Sequence, residues 1–133
     1  RINYYMKPET ENWLEVAEND LKIAALCFKN NFHSKTIEHC HSCLEKLLKG
    51  IITEQKDSQP PKVHDLLKLV SQTLITNISE DIKRLFDDLN DLYISTRYPD
   101  DYKEIEKIAK GKDIVGRERY QPGIERNWCA GRG

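Results

Sequence analysis

Glycine and proline are scarce, at six and five of 133 residues, and no internal repeat or low-complexity block is present. That scarcity favours helix over sheet and turn-rich folds. No run approaches the roughly 20 apolar residues that a membrane-spanning helix needs. The first residues also lack the apolar core of a signal peptide, so the expected location is the cytoplasm. A surplus of charge is missing too: 21 basic and 22 acidic residues leave a formal charge of -1. Such a chain has no long-range pull toward nucleic acid or an anionic membrane, and any such binding must come from a local patch. A glycine-rich phosphate loop, a nucleophile elbow and an HExxH motif are all absent, which removes support for the common NTPase, hydrolase and zincin chemistries.

Leu, Ile, Lys and Glu are abundant, and 32% of the chain is charged. This length suits one domain with one core. Residues 1–9 carry no period and read as an N-terminal extension. A first helix is expected from about Thr10 to Asn30, because Trp13, Leu14, Ala17, Leu21, Ala24, Ala25 and Phe28 recur at helical spacing, with Thr10 as its N-cap. The polar break from Asn30 to His33 leads to a second helix from about Ser34 to Glu54. Its stripe is Ile37, Cys40, Leu44, Leu47, Leu48, Ile51 and Ile52. The two should pair antiparallel.

Residues 56–61, with two prolines and Asp-Ser, read as a loop. A third helix is expected from about His64 to Leu74, facing inward through Leu66, Leu67, Leu69, Val70 and Leu74. Ser79 should cap a fourth, with Ile82, Leu85, Phe86, Leu89, Leu92 and Tyr93 on its stripe and its end near Arg97, ahead of Pro99. A fifth runs from about Asp100 to Lys110. After it, residues 111–133 lose the helical period and read as an irregular tail. The fold class is an all-α, up-and-down bundle of about five helices over residues 10–110.

Cys27, Cys40, Cys43 and Cys129 read as reduced thiols, since a helix-rich chain of this length needs no disulfide staples. The run His39-Cys40-His41-x-Cys43 invites a zinc reading, but on a helix only His39 and Cys43 share a face and no second ligand pair follows. Neither a metal nor a cofactor is expected.

Four polar signals stand out in order: Glu18-x-Asp20 in the first helix, Glu45-Lys46 in the second, His64-Asp65-Leu66 opening the third, and Arg97-Tyr98-Pro99 between the fourth and fifth. As a series they make residues 11–110 resemble the HEPN domain family, small helical bundles found beside minimal nucleotidyltransferases. The resemblance implies a homodimer that binds a nucleotide or RNA and partners such a nucleotidyltransferase in a toxin-antitoxin type pair.

It also implies an alternative, a toxin-like ribonuclease that works without metal. There an arginine and a histidine, separated by four to six residues, meet at a two-fold interface. Arg97 matches the arginine. The window after it holds no histidine; Tyr102 stands where a four-residue gap would place one, and Glu104 where some members keep a tyrosine. Metal-free cleavage needs a base for the 2′-hydroxyl and a cation for the phosphorane. A tyrosine with a typical pKa of about 10 is a poor base at neutral pH beside an imidazole near 6.5.

The candidate residues follow from both readings. Arg97 and Tyr102 would be catalytic if the protein is a nuclease, while Arg97, Tyr98, His64, Glu45, Lys46 and Asp20 would line a ligand groove. A guanidinium offers a phosphate a planar fork of donors, and Tyr98 or Tyr102 could stack a base. The plainer alternatives are a helix-end arginine paired with Asp100 or Asp101, a His64 that caps the third helix, and solvated faces for the remaining charges. His64 can replace the missing histidine only if the fold brings it to Arg97.

Overall fold

The structure, a computed structural model, describes residues 5–115, with side chains as far as residue 110. Residues 1–4 of the extension and 116–133 of the expected tail, Cys129 included, lie outside the described residues. Among the described residues five helices follow one another: α1 Pro8–Lys29, α2 His33–Gln55, α3 Leu66–Ser71, α4 Glu80–Ser95 and α5 Pro99–Val115. None is long and apolar enough to cross a membrane.

α1 starts earlier than its spacing implied. Pro8 occupies the first turn, where its missing N–H costs nothing, and Lys7 rather than Thr10 is the N-cap. Thr10 Oγ1 instead donates to Glu54 across the hairpin at 2.8 Å. The Asn30-Asn31 break ends the helix by a Schellman arrangement. Asn31 takes φ 63°, while Phe32 N donates to Cys27 O and Asn31 N to Phe28 O. Asn tolerates that left-handed conformation better than most residues. The chain then reverses into α2.

α2 is the hub, packing against all four other helices, whereas α1 packs against α2. Both ends of α2 are satisfied from a distance. Glu106 of α5 accepts the Ser34 N–H at 2.8 Å, an anion at a helix N-terminus. Lys7 Nζ donates to the Thr53 and Lys56 carbonyls at the other end. At Gly50 the two long helices come close: a Cβ there would lie 3.2 Å from the Trp13 Cβ.

α3 is shorter than expected. Asp65, expected in its first turn, is the N-cap and accepts from Leu67 N and Lys68 N, so His64 precedes the cap. Ser79 caps α4 as its sequence implies. α5 continues through Gly111–Val115, residues assigned above to the tail, because one glycine costs a helix only about 1 kcal/mol.

The apolar core consists of Leu48, Ile52, Leu66, Leu69 and Phe86, flanked by Leu44, Ile51, Val63, Leu67, Val70 and Leu89. Several residues expected to face inward do not. Leu21, Ala25 and Phe28 of α1, Leu74, and Ile82 and Leu85 of α4 are exposed. The reason is geometric: an apolar stripe as wide as that of α1 exceeds what one neighbouring helix covers.

A candidate site in the cleft between α2, α3 and α4

The polar signals of the sequence resolve into two separate networks on adjacent stripes of α2. The first staples α2 to α1 around Asp20, which is buried. His39 Nδ1 donates to it at 3.0 Å, Ser42 Oγ at 2.7 Å and Lys46 Nζ at 2.8 Å, and Lys46 also donates to Ser42. Burial would raise the Asp20 carboxyl, but these donors outweigh it and hold the group below its ordinary value.

The second network starts from His41, Glu45 and Lys49, spaced four residues apart so that they share one face of α2. Glu45 Oε2 accepts from Lys49 Nζ at 2.9 Å, and its Oε1 accepts from His64 Nδ1 at 3.0 Å. Burial pushes the Glu45 carboxyl up, the donors from Lys49 and His64 pull it down, and the net position is below its ordinary value. Lys49 also lies over the Trp13 ring, 5.9 Å from its centroid.

Asn90 of α4 ties the second network together. Its Oδ1 accepts from Leu66 N at 3.0 Å and from His41 Nε2 at 3.2 Å. Its Nδ2 donates to Asp65 at 3.1 Å. His41 is fully buried and lies flat on Tyr93, with centroids 4.0 Å apart and planes at 4°. Burial lowers the affinity of its ring for a proton, against the opposing hydrogen bond with Asn90.

Tyr93 joins this buried layer to the surface. The Arg97 guanidinium carbon lies 4.6 Å from the Tyr93 centroid, and Nη2 donates to its hydroxyl at 2.6 Å. The His64 ring lies 6.4 Å from the same centroid. His41, His64, Asp65, Asn90, Tyr93, Ile94 and Arg97 line one open cleft of about 260 Å³. It joins an exposed imidazole to a guanidinium across an aromatic floor, a set of groups able to hold a phosphate beside a stacked ring.

The fold thus gathers Arg97, His64 and, beneath them, Glu45. Asp20 and Lys46 belong to the α1–α2 staple. Tyr98, exposed, follows Arg97 at the start of the turn into α5. Tyr102 lies on α5 with Lys35 as a charged neighbour and is not a lining residue of the cleft. Sequence reasoning missed Lys49 and Asn90 altogether and gave Tyr93 and His41 no site role. The His41-x3-Glu45-x3-Lys49 spacing was the available signal for the α2 face. Among the described residues no group of three or more ligating side chains could hold a metal ion.

The sequence profile of the HEPN domain matches residues 10–119. The chain belongs to the HEPN domain family. No curated protein and no solved structure matches it. In this HEPN domain the family's all-α bundle places the His64-Asp65 and Arg97 signals on one cleft, and the Glu45 of Glu45-Lys46 directly beneath it.

Acid should destabilise this HEPN domain through both networks. Asp20 and Glu45 titrate lower in the folded chain than in the unfolded one, so their contribution is complete above about pH 4 and is lost as pH falls through the folded values. His41 also titrates lower when folded. The unfolded chain therefore takes up a proton from about pH 6.5 downward that the folded chain resists. All three act in one direction. The urea midpoint should fall steadily from pH 7 to pH 3, and Asp20→Asn should flatten the acidic part of that fall; a midpoint that rises on acidification would contradict the assignment.

Proposed function

We propose that this HEPN domain is a nucleotide- or RNA-binding module of the cytoplasm, with its ligand's phosphate held in the cleft by Arg97 and a base or sugar packed near Tyr93 and Tyr98. The convergence of Arg97, Tyr93 and His64 on one cleft is the observation that carries this reading. With a net charge near zero, a local cluster of this kind is what the chain can offer an anion.

The family resemblance extends the reading to a homodimer that partners a minimal nucleotidyltransferase in a toxin-antitoxin type pair. Exposed Ile94 beside Arg97, together with exposed Ile82 and Leu85, supplies apolar surface for a protein partner.

Binding of a fluorescently labelled single-stranded RNA, followed by anisotropy at low salt, tests the site. A charge-assisted hydrogen bond is worth about 1.5–3 kcal/mol, so Arg97→Ala should weaken binding roughly 10- to 100-fold. Lys46→Ala, in the other network, should leave it nearly unchanged. Equal affinity for wild type and Arg97→Ala would remove the cleft from the account.

A further inference from the structure

Glu45 stands between two imidazoles and is hydrogen-bonded to one of them. Its Oε1 accepts from His64 Nδ1 at 3.0 Å, while His41 Nδ1 lies 3.9 Å from the same oxygen. Lys49 holds the other oxygen, Oε2. The tautomer of His41 follows from its far side. Leu66 N and Asp65 orient the Asn90 amide so that its Oδ1 faces His41 Nε2, and that nitrogen must therefore carry the proton. His41 Nδ1 is then a lone pair, buried and without a hydrogen bond among the described residues. Beside a carboxylate it gains nothing while the ring is neutral, whereas one added proton turns it into a charge-assisted donor.

The groups around His41 come from three elements. α2 itself supplies Glu45 with Lys49 behind it, the loop before α3 supplies His64 and Asp65, and α4 supplies Asn90, Tyr93 and Arg97. α1 and α5 direct charge to other parts of α2, Asp20 to His39 and Lys46 and Glu106 to Ser34 N. Burial, more than any other influence, keeps the His41 ring neutral, and the His64 imidazole acts the same way; Asn90, Glu45 and the His64 backbone oppose them. The proton therefore arrives below the ordinary imidazole value of about 6.5.

From this geometry we infer that a proton on His41 opens the cleft to its ligand: the Glu45 carboxylate turns from His64 to His41 Nδ1, and the released His64 gives its Nδ1–H to the ligand phosphate beside Arg97. The inference rests on the RNA-binding reading and adds its regulation. Lys49 on Oε2 is the pivot, and the turn uses the soft terminal torsion of the Glu45 side chain. His64 can follow, since it precedes the cap of α3 and its side chain is 61% exposed on the wall of the cleft. By linkage, a ligand that the proton favours also favours the proton, so RNA should raise the pH at which His41 titrates.

The full chain, labelled with 15N-histidine, is titrated from pH 7.5 to pH 5 while long-range 1H–15N NMR follows the ring nitrogens. His41 Nδ1 should gain a proton, and His64 Nδ1 should lose the signature of its carboxylate partner with the same midpoint. Anisotropy with a labelled oligouridine gives the second readout, because neither its bases nor its phosphodiesters titrate in that range. Affinity should rise roughly 3- to 10-fold on acidification, the worth of one added hydrogen bond. His41→Gln should bring that ratio close to 1; if this variant does not fold, the wild-type spectra decide.

Separate midpoints for the two rings, or an affinity that is flat across the range, would overturn the inference and leave the binding reading intact. A gain that survives in folded His41→Gln would also overturn it, by placing the proton on another group. RNA bound at neither pH would overturn the binding reading and the gating with it.

Discussion

Glu45→Ala should unfold this domain more readily than any substitution on the surface. The carboxylate and its Lys49 partner are 11% and 9% exposed at the side chain. Removing Glu45 would strand the ammonium in the interior, a change that costs about 3–5 kcal/mol. It would also release His64 from the carboxylate that accepts from its Nδ1. For a domain of this size each kcal/mol lowers the Tm by about 4–8 °C, so a fall of at least about 12 °C is expected in a thermal melt.

Two companions give that result its meaning. Glu18→Ala breaks the exposed Lys22–Glu18 pair, whose side chains are more than half exposed, and should cost under about 1 kcal/mol. Glu45→Leu with Lys49→Met should recover much of the stability, because a buried ion pair is often no more stabilising than apolar side chains of similar volume. Recovered stability with lost cleft function would show that the pair is kept for His64 rather than for the fold. A Glu45→Ala variant as stable as wild type would mean that the pair is solvated.

Ile52→Ala should produce the second large loss. Ile52 is 1% exposed and stands in the cluster where α2 meets α3 and α4. Truncation removes three carbons and leaves a cavity among Leu48, Leu66, Leu69 and Phe86, at a cost of about 2–5 kcal/mol. The urea midpoint should fall with no change in the slope of the transition. Phe28→Ala is the contrast. Phe28 belongs to the apolar stripe of α1, yet it is 66% exposed, so its truncation should change stability by no more than about 0.5 kcal/mol in dilute solution. Equal losses at the two positions would contradict the packing of α1.

That contrast shows how far the residues speak for themselves. Ser79, the Asn30-Asn31 reversal and the core stripe of α2 act through neighbours a few positions away, so spacing alone reveals them. The buried side of α1 is not legible in the same way. Val16, Leu21, Ile23, Leu26 and Phe28 all extend its apolar surface, and only the position of α2 decides that Ala17, Asp20 and Ala24 are the ones covered. A charged Asp20 on the buried side runs against hydropathy and makes sense only with His39, Ser42 and Lys46 around it.

The site divides along the same line. Arg97, His64 and Glu45 stand out in the sequence through their motifs, but nothing in the chain order sets Glu45 under His64, or Tyr93 between His41 and Arg97. The Glu45–His64 and His41–Tyr93 contacts are long-range consequences of packing α3 and α4 on α2, whereas Arg97 meets Tyr93 one helical turn back along the same segment. Asn90 illustrates this most clearly. It reads as one polar residue on an amphipathic helix, yet its amide joins the start of α3 to the buried imidazole.

The central claim is that the cleft floored by Tyr93 receives the ligand. The most direct test follows backbone amide shifts of the 15N-labelled full chain by NMR as adenosine monophosphate or a short single-stranded RNA is added. The account predicts the largest shifts at His64, Asp65, Asn90, Tyr93, Ile94 and Arg97, with Asp20, Ser42 and Lys46 nearly still. Largest shifts around Asp20 and Lys46, or none anywhere at saturating ligand, would contradict it.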